Sequence, residues 1–448
     1  MNFELTDEQK SVRDMVAAFA AREIAPHAAQ WDREGKFPLK VFAKLGELGI
    51  MGMSVSESYG GAALDSLSIA LAIEELSRAD AGVGVTVSVH AGLITRIVEQ
   101  FARPQLRDLY LPKMCAGTWL GAFSLTEAGA GSDASSLRTR AQRRGDRYII
   151  NGTKQWVTNG GHAKVYVVFA RTGGEGPKGI SAFLVDRDTP GLALGRKTDK
   201  LGIRSSDTVD LVFQDAEVPA ERLLGEEGGG YKIALSTLGG GRLGIAAQAV
   251  GILAACLETS VRYALDRYQF GRPIGAFQAI SFKIADMAVD LDAARMLLYR
   301  AAWLKDKGVP VVDASSKAKL FASTAARKHA AECVQILGGY GFTTEFPAER
   351  YYRDSKITEI YEGTSEVQRI VIARELLGRL DERTSVDRPL RPPARETAHR
   401  GSAASETAAG GSASETAAGA NTSETAASAD GNARGKSAPA QKPSKSRT

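Results

Sequence analysis

RYIINGTKQWVTNGG, Arg147 to Gly161, interrupts a helical texture that runs from the start of the chain. Before it, LTDEQKSVRDMVAAFAAREIAPHAAQW and LKVFAKLGELGI carry apolar residues at three- and four-residue spacing, the period of an amphipathic helix. Within it β-branched and aromatic residues gather, and KVYVVFART, GISAFLVD and TVDLVFQDAEVP continue in the same style. Asn151-Gly152 reads as a hairpin turn between two strands. From about Tyr231 the helical spacing returns, in RLGIAAQAVGILAACLETSVRYALDRY and PVVDASSKAKLFASTAARKHAAECVQIL. Helix, sheet, helix in series is not the alternation that builds a doubly wound parallel sheet. The order predicts a multidomain α and β chain. It has an N-terminal all-α domain over 1–120, a middle antiparallel β-barrel or sandwich over 121–225, a C-terminal helical bundle over 226–381 and a disordered tail over 382–448.

The length of 448 residues agrees with more than one core, since single cores stop growing near ~250 to 300 residues. Hydrophobic residues at 44% and charged residues at 24% match a soluble globular chain. No apolar run is expected to cross a bilayer. The opening MNFELTDEQKSVRDMV resembles neither a secretory signal nor a transit peptide, so a cytoplasmic location is expected. It reads as a helix start, with Thr6 as N-cap and Gln9 closing a capping box. Cys115, Cys256 and Cys333 are scattered through apolar surroundings, as buried thiols in a reducing compartment would be. No metal site is expected.

The net charge of +5 is concentrated at the end of the chain: from Glu382 onward ten Lys plus Arg face seven Asp plus Glu, against 47 and 45 before it. A body this close to neutral offers no electrostatic footprint for nucleic acid. After Leu390 there is no Val, Ile, Leu, Met, Phe, Trp, Tyr or Cys, and SETAA recurs at Ser405, Ser414 and Ser423. Such a segment has too little apolar surface to offset the entropy of ordering.

Four stretches invite a chemical reading. Gly239, Gly241 and Gly244 in GGGRLG satisfy GxGxxG, but the preceding YKIALSTL is helical in pattern, and a nucleotide loop needs a strand there. In GAFSLTEAGAGSDASSL, the small Gly129, Ala130 and Gly131 allow close backbone approach to a flat ligand, beside the short polar Thr126, Ser132 and Asp133. In WVTNGG, Trp156 stands next to Thr158, a ring face beside a hydrogen-bonding hydroxyl. Together the two loops suggest a planar heterocycle held by the sheet domain, although each alone also suits an ordinary sheet turn. In IYEGTSEVQ, Ile360 to Gln368, a carboxylate sits at a break between helical stretches, where an exposed loop glutamate is the alternative to a base.

TEAGAGSD, KQWVTNGG, DRYQFGRPIGAFQAISFKIADM and QILGGYGFTTEFPAERYYRDSKITEIYEGTSEVQR, in this order, resemble the acyl-CoA dehydrogenase family from about Phe3 to Leu380. In the last of these, Gln335, Gly338, Gly339, Gly341, Glu345, Arg350 and Asp354 all fit the family pattern. KGISAFLVDRDTPGLALGRKTDKLGIRSSDT is most similar to the short-chain, butyryl-type branch. The resemblance implies that the C-terminal domain is a four-helix bundle and that the cofactor is FAD. It implies that Phe123, Leu125, Thr126, Ser132, Trp156 and Thr158 hold the flavin ring. Arg267 and Gln278, with Gln335, Gly338 and Gly339 coming from a neighbouring subunit, would hold the pyrophosphate and adenosine. Thr364 and Glu366 would complete the cofactor contacts.

By the same resemblance, Glu362 removes the α-proton of an acyl-CoA thioester while the β-hydrogen leaves as hydride. The Glu362 amide and a ribityl hydroxyl of FAD polarise the carbonyl, and Gly363 allows the turn that aims both groups. Ser132 and Arg242 match substrate-contacting positions. The product would be a trans-2-enoyl-CoA, electrons would pass to electron-transfer flavoprotein, and the assembly would be a homotetramer. One branch of the family carries its base where Gly241 stands here, and short- and medium-chain members have an aspartate where Gly239 stands. Gly84 matches an arginine of the glutaryl-type branch, which disfavours a dicarboxylyl substrate. His90 is expected either to line the pocket or to pack within a helix. An acyl-CoA oxidase and an inactive flavin-binding scaffold are the other readings.

Overall fold

The computed structural model describes residues 4–378, so the expected disorder of residues 382–448 lies outside the described residues. Seven helices precede the sheet: α1 (Asp7–Glu23), α2 (Ala25–Glu34), α3 (Leu39–Glu47), α4 (Ser66–Ala79), α5 (Ala81–Val89), α6 (Thr95–Phe101) and α7 (Pro104–Cys115). The predicted capping box is present: Thr6 Oγ1 accepts from the Gln9 amide at 3.2 Å, and Gln9 Oε1 accepts from the Thr6 amide at 3.0 Å. Gln9 Nε2 also donates to Asp65 Oδ2 at 2.7 Å, and Asp65 in turn caps α4 through the Ser68 amide. One buried glutamine thus ties two helix starts together.

Eight strands form one sheet: β1 (Gly121–Ser124), β2 (Arg140–Arg144), β3 (Arg147–Thr158), β4 (Val165–Arg171), β5 (Ile180–Asp186), β6 (Leu192–Lys197), β7 (Thr208–Pro219) and β8 (Leu223–Leu224). The order is β6-β7-β3-β2-β4-β5-β8, nearly all antiparallel, with β1 lying parallel on β4 from Gly121 opposite Val165 to Ser124 opposite Val168. The predicted hairpin at Asn151-Gly152 is misplaced. The turn is Gly145-Asp146, because Arg144 pairs with Arg147 and Gly145 takes a φ of +61°. Asn151-Gly152 lies inside β3, where the register against β7 slips between Ile150 and Gly152. Its glycine serves close approach: a Cβ there would lie 2.5 Å from Thr139 Oγ1.

The C-terminal helices are α8 (Gly230–Asp266), α9 (Gln278–Asp306), α10 (Val312–Leu337), α11 (Ala348–Ser355) and α12 (Ser365–Leu377), with a small hairpin, β9 (Tyr268–Gln269) and β10 (Arg272–Pro273), between α8 and α9. α8, α9 and α10 pack on one another and α12 packs on α10, completing the bundle. Gly239, Gly241 and Gly244 sit inside α8, so the GxGxxG spacing makes no nucleotide loop.

α4 and α5 lie against α8, and one core runs from Val16, Phe19 and Ile73 through Val250 and Leu253 to Leu298. A second core joins Val85 and Val89 of α5 and Ile245 of α8 to Val167 and Phe169 of the sheet. This second core is where the three regions meet. Two segments, Ala81–Phe101 and Gly230–Asp266, are long and apolar enough to cross a membrane, against expectation. Both are core elements, with 89% and 78% of their apolar windows buried in the fold.

Candidate active site

A cavity of about 560 Å³ opens at that three-way junction, within the ~300 to 1,000 Å³ range of small-molecule pockets. The sheet supplies one wall: Phe123 at the end of β1, Thr126, Gly131 and Ser132 in the loop after it, and Trp156 and Thr158 at the end of β3. The turn before α12 supplies another, with Tyr361, Glu362, Gly363 and Thr364. Val85, Val89 and Ile245 make its apolar side, and Thr198, Lys200, Leu201, Gly202, Ile203, Thr208, Arg353, Lys356, Ile357 and Ile360 form the rest.

The backbone is strained at this cavity. Trp156, Ile203 and Glu362 take left-handed φ values of 55°, 45° and 53°, and all three line it. Each such position costs on the order of 1–3 kcal/mol for a residue with a Cβ, so surrounding contacts must hold it. Trp156 is thereby presented with 59% of its surface exposed, which for an indole at a cavity wall is a face left for a ligand. The loop carrying Thr126 is clamped from below. Lys154, fully buried, donates to the Leu125 carbonyl at 2.9 Å and to Glu127 Oε1 at 2.8 Å. Glu127 also accepts from the amides of Arg138 and Thr139 at 2.7 and 2.9 Å.

Glu362 is half-buried as a residue, but its Oε2 is shut off from water and has no hydrogen-bond partner among the described residues. Burial pushes its carboxyl up to about 7, against the opposing charges of Arg242 and Lys319. The space it occupies exists because residue 241 is glycine: a Cβ on Gly241 would lie 2.4 Å from Glu362 Oε2. Gly363 follows with a φ of +90°, and its carbonyl accepts from Gln368 Nε2 at 2.8 Å and Lys319 Nζ at 2.7 Å. Among the described residues no carbonyl accepts from the Glu362 amide. Thr364 caps α12 through the Val367 amide.

The chain belongs to the acyl-CoA dehydrogenase family.

Its N-terminal, middle and C-terminal domain models match residues 6–118, 122–216 and 228–377. The mouse mitochondrial short-chain specific acyl-CoA dehydrogenase is 50% identical over 375 residues, which is 84% of this chain and 91% of that protein. The structure of butyryl-CoA dehydrogenase from Megasphaera elsdenii superposes with a TM-score of 0.83 at 46% identity, covering 84% of this chain and all of that one. A glutaryl-CoA dehydrogenase from Mycobacterium smegmatis in complex with FADH2 superposes at 0.80 and 33% identity, covering 84% and 95%. Acyl-CoA dehydrogenases are oxidoreductases of fatty acid metabolism with FAD as cofactor, and the residues present fit that group. An exposed indole, two threonines and Phe123 line the face that a flat ring needs. A second cavity, about 490 Å³, is lined by Arg267, Gly338 and Gly339. Arg267 has no ion pair among the described residues and lies 5.7 Å over the Tyr340 ring, a cation available to a phosphate.

The site residues expected from sequence divide into three groups. Phe123, Thr126, Ser132, Trp156, Thr158, Glu362, Gly363 and Thr364 converge on the first cavity, and Arg267, Gly338 and Gly339 on the second. Arg242 is buried on α8 beside Gly241, where its charge acts on Glu362. Leu125, Gln278, Gln335 and Glu366 line neither cavity: Leu125 contributes its carbonyl to Lys154, and the other three are exposed at helix ends. His90 is a packed helix residue. Its Nδ1 accepts from the Gly121 amide at 3.0 Å, its Nε2 donates to the Met114 carbonyl at 3.1 Å, and burial pushes its pKa down to about 4. Gly84 has no room for a side chain, since a Cβ would lie 1.9 Å from Ser77 Oγ. Sequence reasoning assigned no role to Lys154, Lys319 or the Leu201–Ile203 wall, although Lys154 and Leu201–Ile203 lie within segments that carry the family resemblance.

Proposed function

We propose that the chain oxidises a short- to medium-chain acyl-CoA to the trans-2-enoyl-CoA, with Glu362 as the base that removes the α-proton. Bound FAD supplies the hydride acceptor for the β-hydrogen. The observation that carries this reading is the Glu362 carboxylate itself: its Oε2 is shut off from water without a hydrogen-bond partner among the described residues, at a cavity whose other wall bears Trp156 and Thr158. A carboxylate in water is too weak a base for an α-carbon. Burial raises its basicity, and proton transfer goes best when the pKa lies near the working pH. The unpaired Glu362 amide, on the strained turn that also carries the carboxylate, is a fixed donor for the thioester oxygen, where negative charge grows as the proton leaves. One residue thus withdraws the proton and stabilises the charge left behind.

Val85, Val89 and Ile245 give the acyl side apolar walls that suit a hydrocarbon chain, and the absence of room at Gly84 argues against a distal carboxylate partner there. Ser132 at the cavity wall and Arg242 behind Glu362 are the residues we assign to substrate contact and to charge balance at the base. The separation of ring-binding and arginine-glycine residues into two cavities supports a cofactor shared between subunits. So does an exposed stripe on α9, Phe282, Val289, Met296 and Trp303, at seven-residue spacing. A homotetramer passing electrons to electron-transfer flavoprotein is the form we propose. Glu362→Gln should bind FAD and keep its absorbance, yet show no bleaching when butyryl-CoA is added anaerobically. Undiminished reduction in that variant would sink the assignment.

A further inference from the structure

Lys319, on α10, has no exposed surface. A buried ammonium normally answers to a carboxylate, yet among the described residues Lys319 forms no ion pair. Its Nζ points instead at a main-chain oxygen, the carbonyl of Gly363, at 2.7 Å. That carbonyl belongs to the residue after Glu362, the second of two consecutive left-handed residues. Gln368 Nε2 reaches the same oxygen at 2.8 Å and the Glu362 carbonyl at 3.3 Å. The turn that aims the base is therefore pinned from α12 by an amide and from α10 by a charge.

We propose that Lys319 is a positioning residue for Glu362: it pins the Gly363 carbonyl so that the carboxylate is held at the cavity, and it places a positive charge beside the turn that carries it. The inference rests on the reading of Glu362 as the base. Two geometric facts carry it. A strained glutamate-glycine pair persists only if surrounding contacts fix it, and among the described residues the Gly363 oxygen is held by Lys319 and Gln368. A lysine that spends a proton on a carbonyl cannot bind the carboxylate with that proton, so it acts through its field. The charged groups facing the pair are Arg242 from α8, Glu359 from the turn before the base and Glu366 from α12. Arg242 and Lys319 are the two cations acting on Glu362, and both oppose the effect of burial on it.

The test measures, across pH, anaerobic flavin reduction by butyryl-CoA and steady-state turnover with an artificial electron acceptor in the FAD-loaded enzyme, for Lys319→Met, Lys319→Gln and Glu362→Gln. Lys319→Met removes both the hydrogen bond and the charge. Its kcat/KM profile should lose the acidic side upward by on the order of one pH unit. Its kcat on the plateau should fall ~10-fold or more, with KM changed by less than ~3-fold. Lys319→Gln can still donate to the Gly363 carbonyl, so it should move the acidic limb by a similar amount while recovering most of the plateau rate. A limb at the wild-type pH in both lysine variants, with FAD retained, overturns the proposal. Loss of FAD from both also overturns it, because the lysine would then be structural. Turnover surviving in Glu362→Gln refutes the base itself. An inactive Glu362→Gln beside unmoved limbs refutes only the role of Lys319.

Discussion

Gly241→Ala would place a methyl carbon against the Glu362 carboxylate, the base we propose. The added Cβ would lie 2.4 Å from Glu362 Oε2, 2.9 Å from its Cδ and 3.2 Å from Leu93 Cδ2, whereas ordinary contact begins at 3.4 Å. The carboxylate must therefore retreat by about 1 Å. It can, because it is the end of a flexible side chain, at a cost of about 0.5–1.5 kcal/mol if a torsion leaves its rotamer well. Against this, alanine in place of glycine inside a helix stabilises by about 0.5–1 kcal/mol. The two nearly cancel, so the variant should melt within a few degrees of the parent. The chemistry has no such compensation: proton abstraction needs reacting atoms ~3 to 3.5 Å apart, and a misplacement of ~1 Å can cost on the order of 100-fold. We expect the rate of flavin reduction by butyryl-CoA to fall by about that factor, with FAD content and circular-dichroism melting unchanged. A rate within about threefold of the parent would refute the placement of Glu362 beside Gly241, and with it the reading of that glycine as the vacancy that accommodates the base.

The pH dependence has a definite sign: burial raises Glu362 to about 7 and the base must be unprotonated, so kcat/KM should be full well above that pH and fall about tenfold per unit below it. A profile flat from pH 5.5 to 8 would contradict it. Lys154→Met leaves Glu127 with only the Arg138 and Thr139 amides beneath the loop that carries Thr126, a buried pair broken at one end, and should cost about 3–5 kcal/mol with weakened FAD retention, read by thermal melting and by flavin released on gel filtration. Gly84→Ala forces α5 away from Ser77 of α4 and should destabilise by about 1–3 kcal/mol in denaturant melts while leaving substrate preference unaltered.

The parts of the molecule legible in the sequence are those whose cause is local. The Thr6–Gln9 cap, the change of period at Arg147 and the false GxGxxG within α8 all depend on residues a few positions apart. The hairpin was misread because Asn151-Gly152 satisfies turn chemistry and bulge chemistry equally, and only the partner strand decides between them. Lys154 and Lys319 were invisible for a related reason. Each lies 27 or more positions from the group it binds, and a lysine on a helix or strand reads as a solvated charge until its neighbours are known. Ile203 was equally hidden, because nothing in a β-branched residue announces a left-handed backbone. Glu362 was legible only through the motif around it, since a carboxylate on a loop has no local mark of burial.

The arrangement around Glu362 explains why its cations are placed as they are. Burial alone would leave the carboxyl protonated at neutral pH and useless as a base. A direct salt bridge would err in the other direction, holding it so firmly ionised that it could not accept the proton. Arg242 and Lys319 avoid both outcomes: each bears on Glu362 electrostatically, yet neither donates to its Oε2, which has no partner. Lys319 is kept off the carboxylate by the Gly363 carbonyl that occupies one of its protons. Arg242 keeps its Nε unpaired. The field lowers what burial raises, and the balance falls at about 7, where a carboxylate can take a proton from carbon and later release it. Moving either cation into hydrogen-bond contact with Glu362 should therefore slow the reaction, although it would add a favourable contact to the fold.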